Sequence, residues 1–333
     1  MADSRIAVVV PMTLSDEFIN AIRDVDERID VLAVPTDGPV PDGATGATVF
    51  FRSYAFKPET VDAVVERARA LRWMHVPAAG VDVAMTPNVL ERDFVITNVA
   101  GVYDTPVAEL ALALMMAAAK RLPAYLSAQR EGRWLRAASW DEVKQEKTLP
   151  TVLREATATL VGLGGTGGTL AGMLKALGMR VIAVRHNPRP DPSADEVHGP
   201  NRLHEALRQA DYVVLTLPLT NETRGIIGAR ELAQMKATAW LINVGRGGLV
   251  DDDALIKALE SGEIAGACLD LFSEEPLPAD HPYYRLPNVI VTPHIAGAFP
   301  EINEIDREYF VAQLRRFVKG EPLKAVIDRA KQY

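Results

Sequence analysis

Apolar residues along this chain cluster in short, β-branched runs separated by longer stretches with helical spacing. Runs at 6–10, 29–34, 47–51, 72–76 and 94–97 have strand length and little alternation, the pattern of strands buried on both faces. Residues 58–71 read as a helix with Pro58 in its first turn, and 37–46 as a turn-rich connection carrying Pro39, Pro41 and Gly43. Strands alternating with helices over the first hundred residues predict a small α/β domain.

Residues 103–122 read as one long alanine-rich helix, apolar nearly all round, and therefore buried on more than one face at a domain or subunit interface. The polar segment 133–153 follows as a loop. It carries Trp134 and Trp140, which either anchor it to the body or line a ligand site.

The strand–helix alternation then resumes. Strands are predicted at 158–161, 180–184, 211–217, 239–244, 264–269 and 289–292, and helices at 203–208, 251–261 and 298–320. The first of these strands runs into Gly162-Leu163-Gly164-Gly165-Thr166-Gly167, the G-x-G-x-x-G spacing, followed by a helix with Leu170, Met173, Leu174 and Leu177 on one face. Gly162 permits the tight turn, Gly164 lets the backbone approach a pyrophosphate, and Gly167 lets the helix pack close to the strand. The free N–H groups of the first helical turn favour the phosphates. A lone motif of this kind is weak; the strand before it and the helix after it make the dinucleotide reading the better one.

The fold class that follows is α/β: two Rossmann/flavodoxin-like doubly wound parallel-sheet domains with an interdomain cleft. Residues 1–99 plus 296–333 form a discontinuous substrate domain, and 100–295 the dinucleotide-binding domain, the last helix returning to the first domain. A chain of 333 residues, 48% of them hydrophobic, can fill two cores. The formal charge of −8 argues against general nucleic-acid binding. The single cysteine, Cys268, lies in an apolar run and reads as a buried, inert thiol. The N-terminus lacks a signal-peptide core and no run reaches a membrane span, so a cytoplasmic protein is expected, without membrane, nucleic-acid or metal partners.

Four residues fall just past the carboxyl ends of predicted strands, where ligands bind in open α/β sheets. Arg246 lies in NVGRGG, Asp270 ends GACL, Glu275 follows in SEEP, and His294 lies in TPHIAG. Alone, Arg246 reads as a surface ion pair and His294 as a satisfied core histidine; together, behind a dinucleotide motif, they read as a site.

GLGGTG, NVGRGGLVD, LDLFSEEPLP and NVIVTPHIAG, with PAAGVD at 77–82 and NVAGVYDTPVAE at 98–109, resemble the D-2-hydroxyacid dehydrogenase family over essentially the whole chain. The subgroup this chain is most similar to is glyoxylate/hydroxypyruvate reductase. Three departures stand out: Thr166 replaces the usual apolar residue, Gly165, Gly168 and Gly172 make the first helical turns unusually glycine-rich, and the 134–153 loop is longer than the common form. The resemblance implies an NAD(P)-dependent reductase of a small 2-keto acid, usually a homodimer through the alanine-rich helix. An alternative on the same fold is a dinucleotide-sensing regulatory protein, whose relatives keep the same site residues.

Within that resemblance Arg246 grips the carboxylate and carbonyl oxygen of the keto acid with its planar fork. Backbone N–H groups around Ala79, Gly80 and Val81 share the carboxylate. His294 is the general acid in reduction and base in oxidation, and Glu275 bonds its other ring nitrogen, favouring the protonated imidazole. Asp270 matches the residue that holds the nicotinamide carboxamide. The cofactor set is completed by Gly162, Gly164, Gly165, Thr166, Gly167, Leu217, Pro218, Thr223, Val244 and Gly297. Arg52, after a strand, either prefers a second polar or anionic substrate group or is an exposed strand-end arginine. The strand 180–184 ends without the carboxylate that binds the ribose of NAD. Arg185-His186-Asn187-Pro188-Arg189 stands there instead, with no acid before Asp191. Arg185, Arg189, Asn187 and His186 therefore favour the 2′-phosphate of NADP, with NAD a possible second cofactor.

Overall fold

The structure, a computed structural model, describes residues 5–135 and 150–329. The chain divides into two compact units, 1–103 with 299–333, and 104–298. No described helix is long and apolar enough to cross a membrane.

The first unit is built on five parallel strands, β1 (Ile6–Pro11), β2 (Ile29–Val34), β3 (Ala47–Phe51), β4 (Trp73–His75) and β5 (Val95–Thr97), in the order β2-β1-β3-β4-β5. Val8 and Val10 turn to one face and Val9 to the other, as the two-residue period of a strand requires, and all three are fully buried. One face packs Val61, Val64 and Val65 of the helix Pro58–Arg67. The other packs Phe18 of the helix Asp16–Arg23, capped by Ser15, with Phe310 and Leu314 of the helix Ile302–Lys319. Trp73 stacks on Phe310 with ring centroids 5.3 Å apart, so the last long helix belongs to the core of this unit.

The second unit carries seven parallel strands: β6 (Thr157–Val161), β7 (Arg180–Val184), β8 (Glu196–His198), β9 (Tyr212–Leu215), β10 (Trp240–Asn243), β11 (Gly266–Leu269) and β12 (Val289–Val291). Their order is β12-β11-β10-β9-β6-β7-β8. The chain winds outward from β6 through β7 to β8, then returns to the other side of β6. The topological switch therefore falls between β6 and β9, where such sheets bind ligands. Val184, Val161, Leu215, Asn243, Leu269 and Val291 pair across one row. The residues just beyond that row form a common edge. Both faces are covered: Leu207, Leu232, Leu255 and Leu259 on one, Ala108, Ala111, Met115, Leu170 and Leu174 on the other.

Several boundaries differ from the reading of the sequence. The long helix 103–122 is two helices, Asp104–Ala119 and Leu122–Arg130, with Arg121 between them at φ 54°. Pro123 is the cause. It has no N–H, and its ring would strike the carbonyl of Ala119 in a continuous helix. The helix after the glycine turn spans Gly165–Ala176, so Leu177 falls outside it and is exposed; Gly178 at φ 77° supplies the left-handed residue that ends it. The short strand β8 and the one-turn helix Ala229–Leu232 are additional to the predicted elements. Trp134 is 88% exposed and anchors nothing in the described body, while Trp140 and the loop residues 136–149 lie outside the described residues.

Candidate active site

The glycine turn has the geometry its three glycines predict. Gly162 sits at φ 108°, and a Cβ there would lie 2.9 Å from the backbone N of Leu217. At Gly167 a Cβ would lie 2.4 Å from the carbonyl oxygen of Gly162 and 2.9 Å from Thr216 Oγ1. Any side chain at either position would force β6, the helix Gly165–Ala176 and the segment after β9 apart. Thr216 ties the turn down by donating to the Gly162 carbonyl at 2.9 Å. At Gly164, by contrast, nothing lies within 4 Å of the Cβ position. The bare backbone there faces open space at the start of a three-turn helix, the surroundings a pyrophosphate needs.

Next along the edge, Leu217 and Pro218 follow β9. Thr223 Oγ1 donates to the Pro218 carbonyl at 2.7 Å and accepts from Thr220 N at 2.8 Å, closing that loop on itself. After β10, Val244 is buried and Asn243 organises the turn. Its Nδ2 donates to the Arg246 carbonyl at 2.8 Å and its Oδ1 accepts from Gly245 N at 3.1 Å. Arg246 is thereby presented from a braced turn, with Nη1 donating to the Gly245 carbonyl at 2.8 Å. A Cβ at Gly247 would stand 1.9 Å from the carbonyl carbon of Phe272. The Arg246 turn thus lies directly against the segment that carries Glu275.

Glu275 and His294 lie side by side at the sheet edge. Glu275 Oε1 accepts from Phe272 N at 2.9 Å, and its Oε2 lies 2.7 Å from His294 Nδ1. An ionised carboxylate can only accept, so Nδ1 carries the proton and Nε2 is the ring nitrogen left for exchange. His294 is half exposed and stands at φ 52°, left-handed backbone that few residues other than glycine adopt.

Asp270 explains how that conformation is held. It is fully buried at the end of β11. Its Oδ1 accepts from Thr292 Oγ1 at 2.6 Å and from Ile295 N at 3.0 Å, and its Oδ2 from Ala296 N at 3.0 Å. Its backbone carbonyl accepts from His294 N at 2.8 Å. One carboxylate thus fixes the loop on both sides of the histidine, a role the sequence reading did not assign. Among the described residues three of its roughly four acceptor positions are filled, leaving one on Oδ2.

At the far end of the row, Arg185 continues β7, its backbone N bonded to the His198 carbonyl at 3.0 Å. His186 Nδ1 lies 3.8 Å from Glu222 Oε2. Asp191, the first acid after the strand, is engaged by Ser193 through Oγ at 2.6 Å and N at 3.0 Å. Those two bonds, with lesser help from Arg185 and Arg189, hold its carboxyl below the usual range. Cys268 is buried, with its Sγ 3.7 Å from the Leu114 carbonyl, and burial pushes its thiol well above the ordinary value.

Ala79, Gly80, Val81 and Arg52 lie in the other unit. Ala79 and Gly80 follow β4, and Asn98 Nδ2 donates to the Ala79 carbonyl at 2.7 Å. The Val81 side chain is part of the core, so only its backbone is available to a ligand. Arg52 is not the exposed strand-end arginine that one reading anticipated. It is 3% exposed, with Nη2 donating to the Val83 carbonyl at 3.2 Å and no hydrogen-bond partner for Nε or Nη1 among the described residues.

Residues 112–296 match the D-isomer specific 2-hydroxyacid dehydrogenase NAD binding domain. A glyoxylate reductase of Thermococcus gammatolerans is 34% identical over 312 residues, covering 93% of this chain and 85% of that protein. One from Korarchaeum cryptofilum is 36% identical over 264 residues, 79% of this chain and 78% of that protein. Among solved structures, a D-isomer specific 2-hydroxyacid dehydrogenase from Xanthobacter autotrophicus Py2, in complex with NADPH and MES, aligns with a TM-score of 0.81 at 29% identity, over 99% of this chain and 100% of that one. An NADPH-dependent glyoxylate/hydroxypyruvate reductase from Sinorhizobium meliloti, in complex with NADP and sulfate, aligns at 0.80 and 26% identity, again over 99% and 100%. This chain belongs to the D-isomer specific 2-hydroxyacid dehydrogenase family and is an NAD(P)-dependent oxidoreductase.

Proposed function

We propose that this enzyme reduces a small 2-keto acid of the glyoxylate or hydroxypyruvate kind to the D-2-hydroxy acid, with NADPH preferred over NADH and His294 as the proton donor. The observation that carries the reading is the His294–Glu275 pair at 2.7 Å, on the same sheet edge as Arg246 and the glycine turn. Neighbouring strands lie about 4.8 Å apart, so the turns after β12 and β10 are separated by about 10 Å, the span of one small substrate and its two anchors.

When bound, the reduced nicotinamide supplies the hydride to C2 of the keto acid. Arg246 takes the carboxylate and steers the carbonyl oxygen by bidentate, charge-assisted bonds. His294 Nε2 delivers a proton to that oxygen, and Glu275 orients the ring throughout by its bond to Nδ1. Asp270 keeps its free acceptor position for the nicotinamide carboxamide. The backbone at Gly162, Gly164, Gly165, Thr166 and Gly167 receives the pyrophosphate, and Leu217, Pro218, Thr223, Val244 and Gly297 line the remainder.

The NADPH preference rests on Arg185, His186, Asn187 and Arg189 beyond β7, with Asp191 already occupied by Ser193. The NADPH and NADP bound to the Xanthobacter and Sinorhizobium relatives support it. A homodimer through the helix Asp104–Ala119 fits the exposed Met116, Leu122 and Leu126 along it and the helix that follows. Assaying a panel of 2-keto acids with NADPH and with NADH tests the reading: turnover of glyoxylate or hydroxypyruvate, faster with NADPH, is expected, and its absence with every keto acid rules the reading out.

A further inference from the structure

Asp104 opens the helix Asp104–Ala119, and its carboxylate lies on the first turn of the helix Gly165–Ala176. Thr166 Oγ1 donates to Asp104 Oδ1 at 3.0 Å. A Cβ built on Gly165 would stand 1.9 Å from Asp104 Oδ2 and 2.5 Å from its Cγ. The carboxylate therefore fills the space that a side chain at position 165 would occupy. Gly165 has no positive φ that would require glycine on its own account, and glycine is a poor helix former. Its bare backbone is explained by the acid packed against it.

The position of this acid matters. Gly164 precedes it with open space on its face, and the free N–H groups of residues 165–167 begin the anion-receiving end of the helix. A carboxylate at a helix N-terminus complements the helix dipole. In the free protein, Asp104 supplies that negative charge from within the chain. A pyrophosphate arriving at the same turn meets a like charge already seated there.

We propose that Asp104 is a built-in anionic competitor of the cofactor pyrophosphate: it stabilises the glycine turn and weakens dinucleotide binding, so that spent cofactor leaves faster. The inference rests on the dinucleotide reading of the glycine turn. Thr166 is part of the device, because its hydroxyl holds the carboxylate in place and is not available to a phosphate while it does so. The departure of Thr166 from the usual apolar residue thereby acquires a use.

The test is Asp104→Asn, which keeps an acceptor for Thr166 and removes the charge. NADPH binding is titrated by fluorescence at low and high salt, with adenosine 2′-monophosphate, which lacks a pyrophosphate, as the control ligand. The variant is expected to bind NADPH about three- to tenfold more tightly at low salt, the effect of one like charge within about a helical turn. The gain should shrink at high salt, and the control ligand should bind both proteins alike. Equal or weaker NADPH binding by the variant, or equal tightening of the control ligand, overturns the proposal. Wild-type protein that binds neither NADPH nor NADH overturns the dinucleotide reading itself. Gly165→Ala gives an independent check through thermal unfolding. It should lower the Tm of the otherwise wild-type protein and lose most of that effect in an Asp104→Ser background; the same loss in both backgrounds contradicts the contact on which the inference stands.

Discussion

Replacing Asp270 by asparagine should loosen the loop that carries His294, and the size of the effect follows from the bonds. The buried carboxylate accepts from Thr292 Oγ1, Ile295 N and Ala296 N. An amide of the same shape keeps one oxygen, which can serve the first two donors, but sets an NH₂ group against the Ala296 N–H. Two bonds lose their charge assistance and one buried donor loses its acceptor, together about 2–4 kcal/mol. For a unit of roughly 200 residues that is a fall in Tm of about 5–12 °C. His294 sits in left-handed backbone at φ 52°, a conformation that persists only when its surroundings over-determine it. Relaxation of the loop by an ångström moves the imidazole from its productive position, which costs about 10²-fold in rate. Calorimetry of the cofactor-free protein reads the first effect apart from any role in holding nicotinamide, and turnover of a 2-keto acid reads the second. A Tm within about 2 °C of wild type would refute the view that this carboxylate positions the histidine.

Two further outcomes follow from the geometry. Arg185→Asp should weaken NADPH binding by at least tenfold, about the worth of one charge-assisted phosphate contact, while NADH binding is kept or improved; titration of both cofactors decides it, and an unchanged NADPH affinity would remove Arg185 from cofactor choice. Burial pushes the Asp306 carboxyl up to about 7 in the fold, against the modest opposing effect of a hydrogen bond with Tyr103; a raised carboxyl contributes full stability below its unfolded value near 3.8 and loses it as pH rises towards 7. Asp306→Asn does not titrate, so its stability relative to wild type should rise by roughly 2–3 kcal/mol between pH 5 and pH 8; thermal melts at the two pH values test this, and a constant difference would contradict it.

The parts of this protein legible in its sequence are those set by local patterns. Uninterrupted β-branched runs marked most of the parallel strands because both faces of each sheet are covered. The glycine spacing marked the turn after β6 because close approach and positive φ leave no other residue. The order Arg246, Glu275, His294 was readable because each follows a strand end. What was hidden depends on long-range packing. Asp104 meets Gly165 and Thr166 across about sixty residues, and no local pattern announces it. The grip of Asp270 on both sides of His294 needs the register of β11 against β12. The burial of Arg52 was not legible, and an exposed strand-end position stayed open beside a substrate role, because its bond to the Val83 carbonyl comes from a segment distant in the chain. The break at Arg121, by contrast, had a visible signal in Pro123, masked by the continuous apolar composition on either side. The three-residue strand β8 is too short and too polar, Glu-Val-His, to show periodicity.

Whether His294 donates the proton in keto-acid reduction is tested by comparing wild type with His294→Asn under saturating NADPH and glyoxylate or hydroxypyruvate. Turnover should fall by roughly 10²–10⁴, the usual worth of a positioned proton donor, while NADPH binds both proteins with similar affinity. Turnover near that of wild type would contradict the account.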